Sequence, residues 1–470
     1  MANSTQNVLF LTNCELGQCN VAIAVAEEFI LRDKFTVHIA SFRPLAELIE
    51  KINRKSASSK PAIFHEIYGP CMEDLAVRSG VGLITHKPGV LGTIEGFQKV
   101  NRAMSSWTPQ EYKRASERCV DILKEVQPDV IVLDPILHVG LEACRGFTSR
   151  LVVLWPVPLK DVVILNQPRA KALWQYPITG SGYSYPLSWT MILPNIYLLL
   201  RAALLMSIRH SPSVETRQVN ESSGRTPFPL KSAYEGESLH LTPAFPEMDF
   251  PLSVPTNVIS CGPILRQHLP LSEVDPGMEE WLKRPTILIS LGSHVRPTEA
   301  IALQMAKGIQ LVLNKHTDIQ VLWKLRYDWR DSVAFQDTLG TFIDSSLVMI
   351  VDWIEAGIAA LLETGKISIY VHHGGANSYF EACKFGVPQV VLPQWLDTYD
   401  CATRVEWLEI GAHGSQNTAP GIEANEFSDA INKVLYSSKI RSQAGIIKEL
   451  CKTTEGRVFA HDQISRFAFR

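Results

Sequence analysis

The sequence has no Cys-x-x-Cys pair, no Asp-x-Asp, no internal repeat and no excess of positive charge. Its nine cysteines (14, 19, 71, 119, 144, 261, 383, 401 and 451) are odd in number and spaced for neither a zinc ribbon nor a disulfide framework. A reducing compartment, the cytoplasm, is therefore expected, with no metal site. A net charge of −3 leaves no basic footprint for nucleic acid. Residues 1–6, MANSTQ, lack the basic region and apolar run of a signal peptide. The most membrane-like stretch, Met191–Ile208, is interrupted by Pro194, Asn195 and Arg201, and an arginine near a bilayer centre costs about 2.5–3.5 kcal/mol or more. An amphipathic or buried helix is expected there, and a weak peripheral membrane contact through 191–208 is compatible with it.

What is present is length and alternation. At 470 residues and 46% hydrophobic content, the chain can bury two domain cores. Apolar strand-length segments at Val8–Thr12, Thr36–Ser41, Ala62–Ile67, Asp129–Leu133 and Arg150–Trp155 alternate with helical patterns such as Gly17–Leu31. Thr108-Pro109-Gln110-Glu111 predicts a capped helix start inside the long stretch Gly92–Val126. A second alternating half contains Thr286–Ser290, the helix Glu299–Lys315, Ile319–Lys324, Leu347–Trp353, Ile367–His372 and Pro388–Pro393. Its end is expected to form the helices Asn425–Tyr436 and Arg441–Phe469. The fold class is therefore α/β, with parallel sheets covered by helices. A closed (β/α)8 barrel fits the length less well and leaves 156–260 unexplained. Residues 156–235 lose the alternation and gather aromatics (Trp174, Tyr176, Tyr183, Tyr185, Trp189, Tyr197) that would line an apolar pocket or fill a core. The proline-dense stretch 243–270 precedes the domain boundary, placed near 262–282.

Chemistry concentrates in Val351–Gly414. The strand Ile367–His372 runs through His373-Gly374-Gly375-Ala376 into a helix, Asn377–Phe385, closed by Gly386. The first N–H groups of a helix lack internal partners and carry about half a positive charge, so this turn is suited to a phosphate. Gly374 and Gly375 would let phosphate oxygens approach the backbone, and Asn377 or Ser378 would cap the helix or bond the same oxygens. Glu381, one turn on, suits a ribose diol. Trp353 offers a flat face to a base. Asp397 is expected in a loop before a helix at Cys401–Glu409.

The pattern His373-x-Gly375-x-Asn377-Ser378-x-x-Glu381, followed by Gly386-Val387-Pro388, Pro393 and Asp397, resembles the C-terminal signature of the UDP-sugar glycosyltransferases of family 1, fungal members above all. The resemblance implies a GT-B fold of two Rossmann-like domains facing across a cleft. The divisions expected are 1–260 for the acceptor, 261–450 for the UDP-sugar, and a C-terminal helix at 451–470 packing back on the first domain. It implies Trp353 on uracil, Glu381 on the ribose, His373, Gly375, Asn377, Ser378 and Ser293 around the phosphates, and Asp397 on the sugar, with Thr398 where the family often has Gln. With no Asp-x-Asp, the diphosphate is expected to rest on the helix terminus and His373. The family's catalytic His falls at Gln18, which cannot accept a proton. Asp134 matches the residue that orients that His. Asp134 or Glu15 is expected to act as base with Gln18 positioning the acceptor, and His65 is a further candidate set back by its place inside a strand. The implied activity is inverting, metal-independent transfer of a sugar, glucose by preference, from UDP-sugar to a small lipophilic acceptor, phenolic or sterol-like, with no cofactor beyond the co-substrate. A catalytically silent binding protein and a sugar-nucleotide epimerase are the alternatives.

Overall fold

The computed structural model describes residues 6–32, 34–56, 60–81, 84–144, 147, 149–208, 238–326 and 332–468. Its strands are β1 (Gln6–Leu11), β2 (Phe35–Ser41), β3 (Ile63–Glu66), β4 (Val130–Leu133), β5 (Arg150–Leu154), β6 (Leu239–Thr242) and β7 (Val258–Ser260) in the first half. The second half has β8 (Thr286–Ser290), β9 (Gln320–Lys324), β10 (Val348–Val351), β11 (Ile367–His372), β12 (Gln389–Val391) and β13 (Gly411–His413). The first sheet has the order β3-β2-β1-β4-β5-β6-β7 and the second β10-β9-β8-β11-β12-β13, and every pairing is parallel. Helices cover both faces of each sheet, which is why strands such as Val130–Leu133 are apolar throughout and fully buried. In each sheet the chain order reverses beside the central strand, between β1 and β4 and between β8 and β11. Ligands of open α/β sheets lie beyond the carboxyl ends of strands at such points.

Local signals account for most boundaries. The Thr108 hydroxyl accepts the Glu111 N–H at 3.2 Å, and the Glu111 carboxylate accepts the Thr108 N–H at 3.0 Å, so the helix Pro109–Val126 starts at the expected capping box. The helix Trp189–Ile208 retains Pro194, and the neighbouring Asn195 is fully buried: its Oδ1 accepts the Ile178 N–H at 2.7 Å and its Nδ2 donates to the Leu173 and Tyr176 carbonyls. That polar residue ties the helix to the preceding loop. The part of the aromatic segment at 209–235 lies outside the described residues.

Several expectations need correction. The single helix expected over Arg441–Phe469 is two, Ser438–Lys452 and Gly456–Ala468, with Phe469 outside the described residues. Gly456 begins the second because a Cβ there would lie 2.3 Å from the Pro263 carbonyl. This helix packs on the helix Leu16–Arg32, and Ala460, Ile464 and Ala468 join the core of the first sheet. Asp397 sits in the first turn of a helix, Leu396–Trp407, rather than in a loop. β10 ends at Val351, so Trp353 lies two residues beyond the strand it was expected to close.

The two halves share a core in which Trp155, Met248 and Val258 meet Tyr379, Val405 and Ile447. Buried ion pairs cross the same boundary. The Arg404 Nε donates to Asp249 Oδ1 at 2.8 Å, with side chains 1% and 0% exposed, and Lys160 pairs with Asp400. The Tyr379 hydroxyl donates to the Met248 carbonyl at 2.5 Å. Separating such buried pairs would strand each charge in the interior, so they hold the halves in one relative position.

Candidate functional site

The turn after β11 is built around two histidines with different tasks. His372 is fully buried, and burial pushes its pKa down to about 4, leaving a neutral ring. Its Nδ1 accepts the Gly374 N–H at 3.0 Å and its Nε2 lies 2.9 Å from Gln389 Oε1, which fixes the tautomer and the turn. His373 instead faces the end of β8. A Cβ on Gly292 would lie 2.7 Å from its Cε1, and one on Gly375 would lie 2.6 Å from its Nε2. The imidazole thus fits between two glycines. Burial, then His372, His294 and Lys324, push the His373 pKa down to about 3. Its Nδ1 is buried with no hydrogen-bond partner among the described residues, a polar atom whose cost is relieved only by a ligand or solvent. Gly374 has φ +96°, and a Cβ on it would lie 2.8 Å from the Thr398 carbonyl. The glycines therefore serve close packing around His373 and Thr398.

Beyond this turn runs the helix Ala376–Phe385, whose N-cap, Gly375, supplies no side-chain cap to the first N–H groups. Asn377 extends across that cleft, and its Nδ2 donates to the Leu16 carbonyl at 3.1 Å. Ser378 points inward, 8% exposed, and accepts the Tyr370 hydroxyl at 3.0 Å. Ser293 is exposed in the loop after β8, its Oγ 3.1 Å from His294 Nδ1. Thr398 is fully buried, and its Oγ1 accepts the Gln394 and Trp395 N–H groups at 2.9 Å each. Where the family often carries Gln, this residue caps a helix.

Trp353 is 42% exposed, with Lys324 Nζ 4.4 Å from its ring centroid and Arg326 on the same ring at 6.0 Å. Lys324 also acts on Glu381, whose pKa burial pushes up to about 8 against the pull of that ammonium. Lys324, missed in the sequence, was signalled by its place as the last residue of a strand. Asp397 is pushed up to about 7, by burial first and by the neighbouring Asp161 carboxylate second. The first half reaches this corner as well, where the Leu396 N–H donates to His86 Nε2 at 2.9 Å.

The opposing wall is the loop after β1. Asp134, 3% exposed, follows β4 and is fully engaged: Oδ2 accepts the Asn13 N–H at 3.3 Å and Asn13 Nδ2 at 2.9 Å, and Oδ1 accepts the Ile136 N–H at 3.0 Å. Burial still pushes its pKa up. Asp134 thus orients Asn13, a residue that sequence reasoning overlooked. Glu15 has one oxygen engaged, Oε1 accepting the Glu73 N–H at 3.1 Å, while Oε2 is buried with no partner among the described residues. Gln18 lies in the first turn of the helix Leu16–Arg32, and its Oε1 is likewise buried and unpartnered among the described residues. His65 faces away, its Nε2 2.9 Å from His38 Nδ1.

Beside Asn13 lies an apolar cleft lined by Phe42, Met72, Met104, Trp107, Tyr112 and Ile136, with a free volume of about 20 Å³. That is room for about one water. A more open groove of about 580 Å³, at Tyr68, Arg78, Glu111 and Arg114, has no residue of either loop in its wall. The aromatics of the 156–208 segment divide: Tyr176 and Tyr185 are buried against Phe250, while Trp174, Trp189 and Tyr197 face outward.

The chain has known relatives in both sequence and fold. Residues 344–452 match the family described as "Erythromycin biosynthesis protein CIII-like, C-terminal domain". Glycosyltransferase sdnJ of Sordaria araneosa is 33% identical, covering 98% of this chain and 98% of that protein. UDP-glycosyltransferase stmC of Aspergillus ustus is 23% identical over 71% of this chain and 64% of its own length. Among solved structures, a UDP-glucosyltransferase from Polygonum tinctorium superposes over the whole of both chains with a TM-score of 0.67 at 12% identity, a likeness of fold.

Proposed function

Since the chain belongs to the UDP-glycosyltransferases of family 1, we propose that it transfers a sugar, glucose in our reading, from UDP to a hydroxyl of a small lipophilic acceptor with inversion. The diphosphate rests on the first N–H groups of the helix Ala376–Phe385 and on the His373 ring, and needs no bridging metal ion or further cofactor. Lys324 and Trp353 frame the base, Glu381 takes the ribose and Asp397 the sugar. The acceptor enters beside Asn13 and loses its proton to Glu15 as its oxygen attacks the anomeric carbon and UDP leaves from the opposite face. Asp134 holds Asn13, and Gln18 orients the acceptor hydroxyl. Phenols, with an ordinary pKa of about 10, ask least of a carboxylate base.

The observation that carries this reading is the bond from Asn377 Nδ2 to the Leu16 carbonyl at 3.1 Å. It sets the phosphate-binding turn one side chain away from the loop bearing Glu15. Incubation with UDP-sugars and a panel of phenols, read by mass spectrometry, tests the function. Glu15→Gln is expected to lower kcat by about 10²–10⁴-fold, the usual worth of a general base. Full turnover in that variant would remove Glu15 from the role, and UDP binding without any transfer would favour a silent binding protein.

No helix among the described residues is long and apolar enough to cross a membrane. Trp189, Leu193 and Leu200 stand 83%, 77% and 66% exposed on the helix Trp189–Ile208, which supports a weak peripheral membrane contact by a cytoplasmic enzyme.

A further inference from the structure

The loop that carries Glu15 also carries a cysteine, and a second cysteine faces it. Cys14 precedes Glu15, and Cys71 is the N-cap of the short helix Met72–Arg78. The two sulfurs and a Glu15 carboxylate oxygen all lie within 4.8 Å of one another. We propose that Cys14, Glu15 and Cys71 bind one soft divalent ion, Zn²⁺ or Cd²⁺, at the mouth of the acceptor cleft, leaving a fourth position open.

Zn–S bonds of about 2.3 Å and Zn–O bonds of about 2.1 Å set tetrahedral ligand atoms roughly 3.6–3.8 Å apart, so from separations within 4.8 Å the three need to close by at most about 1 Å. Two thiolates and one carboxylate suit a soft or borderline ion over magnesium or calcium. The surroundings already hold the ligands. Glu15 is tied through Oε1 to the Glu73 N–H at 3.1 Å, while Oε2 is buried and unpartnered among the described residues. The Cys71 N–H donates to the Asp74 carboxylate at 3.0 Å, which fixes the backbone that carries its sulfur. Such outer contacts orient a ligand and are compatible with a thiolate. Cys14 is partly exposed, whereas the other eight cysteines are buried, so an ion has a route to this pair. Binding releases the two thiol protons to solvent.

An ion at this place occupies the Glu15 carboxylate and blocks transfer, a consequence that rests on Glu15 acting as base; the binding itself does not. The test titrates the reduced enzyme with Co²⁺ and with Cd²⁺ and follows thiolate-to-metal charge-transfer absorption. One ion per chain is expected, with two-thiolate intensity. Cys14→Ser and Cys71→Ser should each weaken binding by at least about tenfold, since even an outer-shell partner is worth ten- to a hundredfold. Serine is a favoured N-cap residue and keeps the backbone N–H that Asp74 accepts, so the helix start is preserved at 71. Protection of Cys14 in the wild-type enzyme from iodoacetamide by Cd²⁺ checks the site without any substitution. Absence of the band at one equivalent, or a band that survives both substitutions, overturns the proposal. Binding without loss of transfer upholds the site and removes Glu15 from its catalytic role.

Discussion

Replacing Gly292 by alanine tests how His373 is held, because the perturbation is confined to one methyl group. Gly292 has φ +81°, a left-handed conformation in which a Cβ costs roughly 1–2 kcal/mol. The added carbon would lie 2.7 Å from His373 Cε1 and 3.1 Å from Nδ1, too near for either ring position to stay. The ring must shift from its place between Gly292 and Gly375, and overpacking of this kind costs about 1–3 kcal/mol. If the displaced imidazole loses its hydrogen bond to the diphosphate, worth about 1.5–3 kcal/mol for a charged partner, UDP should bind roughly ten- to a hundredfold more weakly. Isothermal calorimetry with UDP reads that change, and a thermal melt reads the backbone cost separately. Gly445→Ala is the control: nothing lies within 4 Å of its Cβ, and it should raise stability by about 1 kcal/mol with UDP affinity unchanged. Gly292→Ala binding UDP as tightly as wild type would refute the account of the ring.

Three further outcomes follow from the same geometry. Arg404→Met should destabilise the protein by about 3–5 kcal/mol in urea unfolding by leaving the buried Asp249 carboxylate without its cation; a loss under about 1 kcal/mol would mean that the ion pair is dispensable. Thr398→Val should cost about 1–2 kcal/mol as a lost helix cap while leaving KM for the UDP-sugar within about twofold, and a large rise in KM would return Thr398 to the sugar. Glu381 has its pKa raised to about 8, so the unliganded protein binds an extra proton relative to the unfolded chain; the stability this adds is full below about 4.5 and is lost as pH rises through about 8. A ribose diol favours the ionised form, so UDP should bind more tightly as pH rises from about 6 to about 8, with a proton released, and Glu381→Gln should flatten that slope; an equal slope in the variant would place the titration elsewhere.

Strand and helix periodicity made the two sheets legible because parallel strands buried on both faces are continuous apolar runs, as at Thr286–Ser290 and Ile367–His372. Short strands such as Leu239–Thr242, with His240 inside, and Gly411–His413 carry too few residues for a period to register. The turn from Ile367–His372 into the helix Ala376–Phe385 was legible from residue type and spacing, which local backbone geometry dictates. The uses of individual side chains were not. Thr398 and Asp397 follow from where the helix Leu396–Trp407 begins, and Ser378 from the hydroxyl of Tyr370 packed beneath it. Long-range contacts, Asn377 on Leu16, Leu396 on His86 and Cys14 near Cys71, join residues from distant parts of the chain, and no spacing rule connects them.

The most direct test of the account is calorimetry of UDP against the wild-type enzyme and His373→Ala, both in excess EDTA. The account predicts one nucleotide per wild-type chain without any divalent ion, and binding at least about tenfold weaker in the variant. No uptake of UDP in EDTA, or equal affinity in the two proteins, would contradict it.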